Sequence, residues 1–179
     1  MKTFKKASLA LSIVILFYAQ AMALETPIGL PQSLYGMEIA AVYLQAIEME
    51  PKGIMKPRGE SDIHLECDMR AAENNPNGFA AAEWKPNLII HYTIIKLDTN
   101  QTIEGIMVPM VANDGPHYGD NVKMLGAGKY KVIYRIDSPI KKGEFGRHTD
   151  RETGVRDWFK PFEVEWEFNF FGAGKKGGY

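Results

Sequence analysis

Cysteine and histidine are scarce in this chain: one Cys, at position 67, and four His, at 64, 91, 117 and 148, among 179 residues. A lone cysteine excludes an intramolecular disulfide, so stability has to come from packing or from association between chains. An excess of basic charge is also missing, with 21 Lys and Arg against 22 Asp and Glu. Nucleic acid demands a positive footprint on its partner, and this balance excludes it as a ligand. No segment carries a long 3.6-residue periodicity, and beyond the first residues no apolar run approaches the length of a membrane span.

The first residues have the pattern of a secretory leader. Lys2, Lys5 and Lys6 form a positive region, Ala7 to Phe17 is apolar, and Ala21-Met22-Ala23 carries small residues where signal peptidase requires them. The alternative, a short membrane anchor, would need a longer apolar stretch and a basic flank after it. The expected organisation is a signal peptide at 1–23 and one secreted domain over 24–179. Removing the leader leaves 18 basic against 22 acidic residues, a net of −4, a surface suited to cations rather than polyanions.

What the chain has in quantity is alternation. In SDIHLECDMRA, Ile63, Leu65, Cys67 and Met69 fall on one face and Asp62, His64, Glu66, Asp68 and Arg70 on the other. FEVEWEFNFF repeats the pattern at 162–171, with an acidic face that reads as a solvated side of a sheet. Further strands are expected at 37–49, 88–97, 103–111 and 130–136, separated by Gly- and Pro-rich turns, with a short helix somewhere in 69–82 and a frayed tail from Gly172. About seven short strands in one domain predict an all-β antiparallel sandwich.

Several side chains on this framework can bind metal. His64 and Glu66, two residues apart in a strand, leave the same face about 7 Å apart. Met110 and His117 flank a sharp Asn-Asp-Gly-Pro turn in VPMVANDGPHYGD, and His148 lies in a polar connection, FGRHTD. Three imidazoles and a thioether favour copper, while the Glu66 carboxylate adds an oxygen that iron or manganese can use. Taken singly, each His also reads as a surface or hydrogen-bonded side chain. Cys67 tempts one toward a blue-copper site, but the pleat turns it away from His64 and into the apolar set. His91, in LIIHYTII, packs with a satisfied ring or faces out beside Thr93, and stays outside the proposed ligand set.

GMEIAAVYLQAIEMEP, SDIHLE, MVPMVANDGPHYG, FGRH and ETGVRDWFKPFEV together resemble the bacterial periplasmic high-affinity iron-uptake proteins. The resemblance runs from about Thr26 to Phe168. It implies an immunoglobulin-like, copper-binding homodimer that accompanies an inner-membrane iron permease. It also implies a copper site of one Met, three His and a nearby Glu, which fall here on Met110, His64, His117, His148 and Glu66. One departure is that relatives can carry a second His shortly after IHLE, where this chain has Met69-Arg70. The implied function is binding of copper and iron and delivery of iron to the permease. Rival readings are a copper-resistance protein, a copper-dependent ferroxidase, and an adhesive domain without metal.

Overall fold

The structure, a computed structural model, describes residues 25–173. The expected leader at 1–23 and the last residues of the tail lie outside them. Among the described residues there are ten strands: β1 (Thr26–Pro27), β2 (Gln32–Leu34), β3 (Met37–Gln45), β4 (Ile63–Ala71), β5 (Ile89–Lys96), β6 (Gln101–Ile106), β7 (Val108–Ala112), β8 (Gly115–Val122), β9 (Gly128–Asp137) and β10 (Phe162–Phe170). The helical content among the described residues is two single 3₁₀ turns, Arg58–Glu60 and Pro139–Lys141. No helix there is long and apolar enough to cross a membrane.

Two antiparallel sheets face each other. One has the order β1-β3-β4-β8-β7, with β2 also paired to β3; the other is β10-β9-β5-β6. The alternation read from the sequence sets which face is buried. Ile63, Leu65, Cys67 and Met69 of β4 are at most 1 % exposed, and they meet Ile90, Ile94, Val132, Tyr134, Trp166 and Phe168 from the opposite sheet. Burying such side chains contributes roughly 1.5–3 kcal/mol each before entropy is counted. The Tyr134 hydroxyl crosses the core and donates to the Glu66 carbonyl at 3.0 Å, tying the second sheet to the strand that carries the candidate ligands. Glu163, Glu165 and Glu167 lie on the solvated side of β10, as their alternation with buried residues implies. The β2–β3 turn places Tyr35 and Gly36 at φ 52° and 71°, the two positive values that a tight hairpin of this twist requires.

Three local expectations are corrected. The single strand at 103–111 is two strands, because the chain changes sheet at Met107, which is buried and donates its N–H to the Ile90 carbonyl at 2.9 Å. No helix forms in 69–82. Instead β4 runs to Ala71, and the segment after it returns as a loop to bond β4, with Lys85 N–H donating to the Met69 carbonyl and Ala71 N–H to the Glu83 carbonyl. Residues 115–122, where no strand is expected from the sequence, form β8 between β4 and β7. β4 is also less one-sided than its pattern implies, since His64 and Glu66 on the outward face are buried as well.

Candidate metal centre

The centre is built on the outward face of β4, β8 and β7. Residues paired across an antiparallel ladder share a face, and the register sets His64 opposite Asn121 and Glu66 opposite Gly119. Across the next ladder, Met110 stands opposite His117, and Val108 opposite Gly119. Side chains 64 and 66 of β4 therefore meet 117, 119 and 121 of β8, with Met110 at the flank. His64, Glu66 and His117 are 0 %, 5 % and 4 % exposed, and Met110 is half-buried.

The three buried donors converge. His64 Nε2 lies 3.6 Å and His117 Nε2 3.4 Å from Glu66 Oε1. All three ligand atoms fall within 4.8 Å of one another, the one such group among the described residues. Neither Nε2 makes a hydrogen bond, although both are shut off from solvent. A buried polar atom without a partner carries a free-energy cost of about 1–3 kcal/mol, and two of them aimed at one carboxylate oxygen fit a cation between them. The rings stand nearly edge to face, their centroids 5.9 Å apart. Gly119 makes the room: a methyl carbon there would sit 2.5 Å from His64 Nε2 and 2.7 Å from Cε1.

Burial sets the protonation of the metal-free centre. It lowers the His64 pKa to about 4, with the neighbouring His117 acting in the same direction and the Asn121 hydrogen bond against it. Burial also pushes the Glu66 carboxyl up to about 8, helped by the charges of Glu25, Asp68 and Asp114. Those carboxylates line a small cavity of about 160 Å³ together with Glu66, Arg70 and His117. Burial holds the pKa values of Asp68 and Glu25 above their ordinary ones, and for Glu25 a hydrogen bond with Asp114 adds to it. A neutral His64 and a protonated Glu66 can accept a cation by losing a single proton.

The chain brings together four of the five proposed ligands. His148 is the fifth, and within one chain it stays away from the cluster: its ring is 75 % exposed and its Nδ1 lies 2.7 Å from Thr153 Oγ1. Its loop is held elsewhere, by Arg147 on Asp157, by Asn77 Nδ2 donating to the Arg156 carbonyl, and by Phe145 packed against Phe79 and Trp158. Cys67 is fully buried in the core, where burial raises its thiol pKa well above the usual value and removes any thiolate ligand. His91 is on the outer face of the other sheet, 3.9 Å from Asp137, far from the ligand group. Sequence reasoning missed Gly119, Asn121, Asp68, Asp114 and Glu25. The spacing 117, 119, 121, which mirrors 64, 66, 68, was the available signal, and it depended on recognising β8 as a strand.

Fold and cluster together define an antiparallel β-sandwich with a built set of metal-ligating side chains on one sheet. The chain belongs to the iron-transport family described as Fe2+ transport protein, which it matches over residues 22–172. It is 52 % identical over 178 residues to a UPF0423 protein of Brucella abortus, covering 98 % of each chain. Among solved structures it is similar to FetP of uropathogenic E. coli, expressed in the periplasm, at 53 % identity and a TM-score of 0.80, over 83 % of this chain and 97 % of that one. It is also similar to copper-reconstituted P19 of Campylobacter jejuni, at 51 % identity and a TM-score of 0.82, over 84 % and 99 %.

Proposed function

We propose that the chain is the periplasmic metal-binding component of a high-affinity iron-uptake system, exported by the leader at 1–23 as the domain 24–179, binding copper and iron and passing iron to an inner-membrane permease. The observation that carries this reading is the pair of buried, unpartnered Nε2 atoms of His64 and His117 directed at Glu66. With Met110 beside them they form an N₂OS set that suits copper. When bound there, copper supplies one-electron chemistry between a thioether-favoured Cu(I) and an imidazole- and carboxylate-favoured Cu(II).

The chain's own residues do the rest. His64 and His117 present lone pairs in a site closed to water, and Glu66 gives up its proton as the cation enters. Iron is the cargo, and the carboxylates of Glu25, Asp68 and Asp114, which adjoin Glu66, offer the hard oxygens that it prefers. That adjoining acidic cavity favours an iron-uptake role over copper resistance alone. His148, exposed and outside the cluster of its own chain, is the ligand that a second copy would supply in a homodimer. Without a disulfide, pairing of two such chains also covers sheet edges that otherwise invite aggregation.

Metal analysis of protein purified from its own periplasm, with growth of a deletion strain under iron chelation and under copper excess, tests the proposal. It expects copper in the protein and a growth defect under iron chelation. Sensitivity to copper alone would overturn the iron role.

A further inference from the structure

Four hydrogen bonds meet on the side chain of one buried residue, Asn121, which is 2 % exposed. Its Oδ1 lies 3.1 Å from the Ile47 N–H and 3.1 Å from His64 Nδ1. Its Nδ2 donates to the carbonyls of Ile47 and Lys56, each at 2.9 Å. The amide can stand only one way round, because a backbone N–H can only donate and two carbonyls can only accept. The atom facing His64 is therefore an oxygen. An amide oxygen accepts and never donates, so the hydrogen of that contact belongs to the imidazole.

We infer that Asn121 is a positioning residue of the metal centre: it holds His64 as the Nδ1–H tautomer, so that Nε2 keeps the lone pair aimed at Glu66 and His117. With the only proton of the neutral ring used on Nδ1, the buried Nε2, which has no hydrogen-bond partner, keeps a free lone pair. The same amide grips both ends of the segment from Ile47 to Lys56, which links β3 to the 3₁₀ turn before β4. Placement of that segment and orientation of the ligand thus depend on one side chain. This deepens the metal-binding reading and rests on His64 being a ligand. Partners of this kind are worth about 10–100-fold in metal affinity where they have been removed.

Long-range ¹H–¹⁵N correlation on the metal-free protein reads the tautomer directly and needs no metal. The wild type is expected to show Nδ1–H at His64. Asn121→Leu, which removes the acceptor, is expected to lose that preference and to weaken Cu(II) binding about 10–100-fold. Asn121→Asp keeps an oxygen facing Nδ1, so it is expected to retain the tautomer even though its second oxygen opposes two carbonyls. An Nε2–H ring in the wild type overturns the inference, and so does an Asn121→Leu protein with the wild-type tautomer and affinity. If the variants do not fold, the wild-type spectrum alone decides. A wild-type Nδ1–H ring together with unchanged copper affinity in His64→Ala leaves only the tautomer assignment standing and refutes the ligand reading, and with it the role of Asn121 at a metal centre.

Discussion

Met110 stands directly opposite His117 across the β7–β8 hairpin, on the face that carries His64 and Glu66. The turn between them is two residues long, Asn113-Asp114, closed by the pair Ala112 and Gly115, with Gly115 at φ 132°. Its effect is to fix a thioether and an imidazole as cross-strand neighbours rather than leaving the imidazole on a free loop.

The first prediction separates the donors. His117→Ala removes a strong ligand for both oxidation states and is expected to weaken Cu(I) and Cu(II) alike, by more than the roughly 100-fold upper range typical of an outer-shell partner. Met110→Leu keeps the volume and removes the softer donor, so Cu(I) is expected to suffer more than Cu(II). His91→Ala, on the opposite sheet, should leave both affinities unchanged. Chelator competition in each oxidation state provides the measurement, and a His91→Ala effect as large as that of His117→Ala would contradict the site.

Gly119→Ala is the steric test. The added methyl has to displace the His64 ring, since its backbone conformation is not the obstacle. Overpacking of this kind costs about 1–3 kcal/mol. The midpoint of urea unfolding of the metal-free protein should fall, and copper affinity should fall with it. Unchanged copper affinity would show that His64 need not occupy the position seen here.

Much of this geometry was legible in the sequence, and the gaps have physical causes. The alternation in 61–71 put His64 and Glu66 on one face because Ile63, Leu65, Cys67 and Met69 between them are apolar and must be buried. Nothing in the alternation told that the second face is buried too, since its surroundings come from segments remote in sequence: Asn121 beside His64 is bonded to Ile47 and Lys56, and Glu25 and Asp114 adjoin Glu66. β8 was missed because GPHYGDNV is rich in residues that strands avoid. Its Pro116 is tolerated because β4 pairs only with 118–122, which leaves that stretch of β8 with a neighbour on one side. The expected helix in 69–82 failed for the opposite reason, as the backbone groups near Ala71 and Lys85 found partners across a loop. His148 was legible as a candidate, but a linear pattern does not show whether a ligand is supplied by its own chain or by another.

The pH response follows from the two opposed shifts. In the metal-free protein Glu66 titrates near 8 when folded, against 4.5 for the ordinary group, so stability falls as pH rises from about 4.5 through 8. His64 titrates near 4 instead of 6.5, so stability also falls as pH drops from about 6.5 through 4. Glu66→Gln is expected to raise the melting temperature of metal-free protein at pH 8 and to leave it nearly unchanged at pH 4. A lower melting temperature for Glu66→Gln at pH 8 would contradict the assignment.

Metal binding has the complementary dependence, because the carboxylate has to lose its proton before it can ligate. Copper affinity should rise by up to about tenfold per pH unit below about 7 on this account alone, flattening as pH approaches 8, and the Glu66→Gln protein should lose that portion of the slope. Potentiometric titration during copper loading at pH 7 should register one proton released from the site in the wild type and none from this position in the variant.

The most direct test of the centre is anomalous scattering at the copper edge from crystals of the copper-loaded protein. A peak within bonding distance of His64 Nε2, His117 Nε2, Glu66 and Met110 Sδ is the predicted result. A fully occupied peak elsewhere, with those four side chains unligated, would contradict the account.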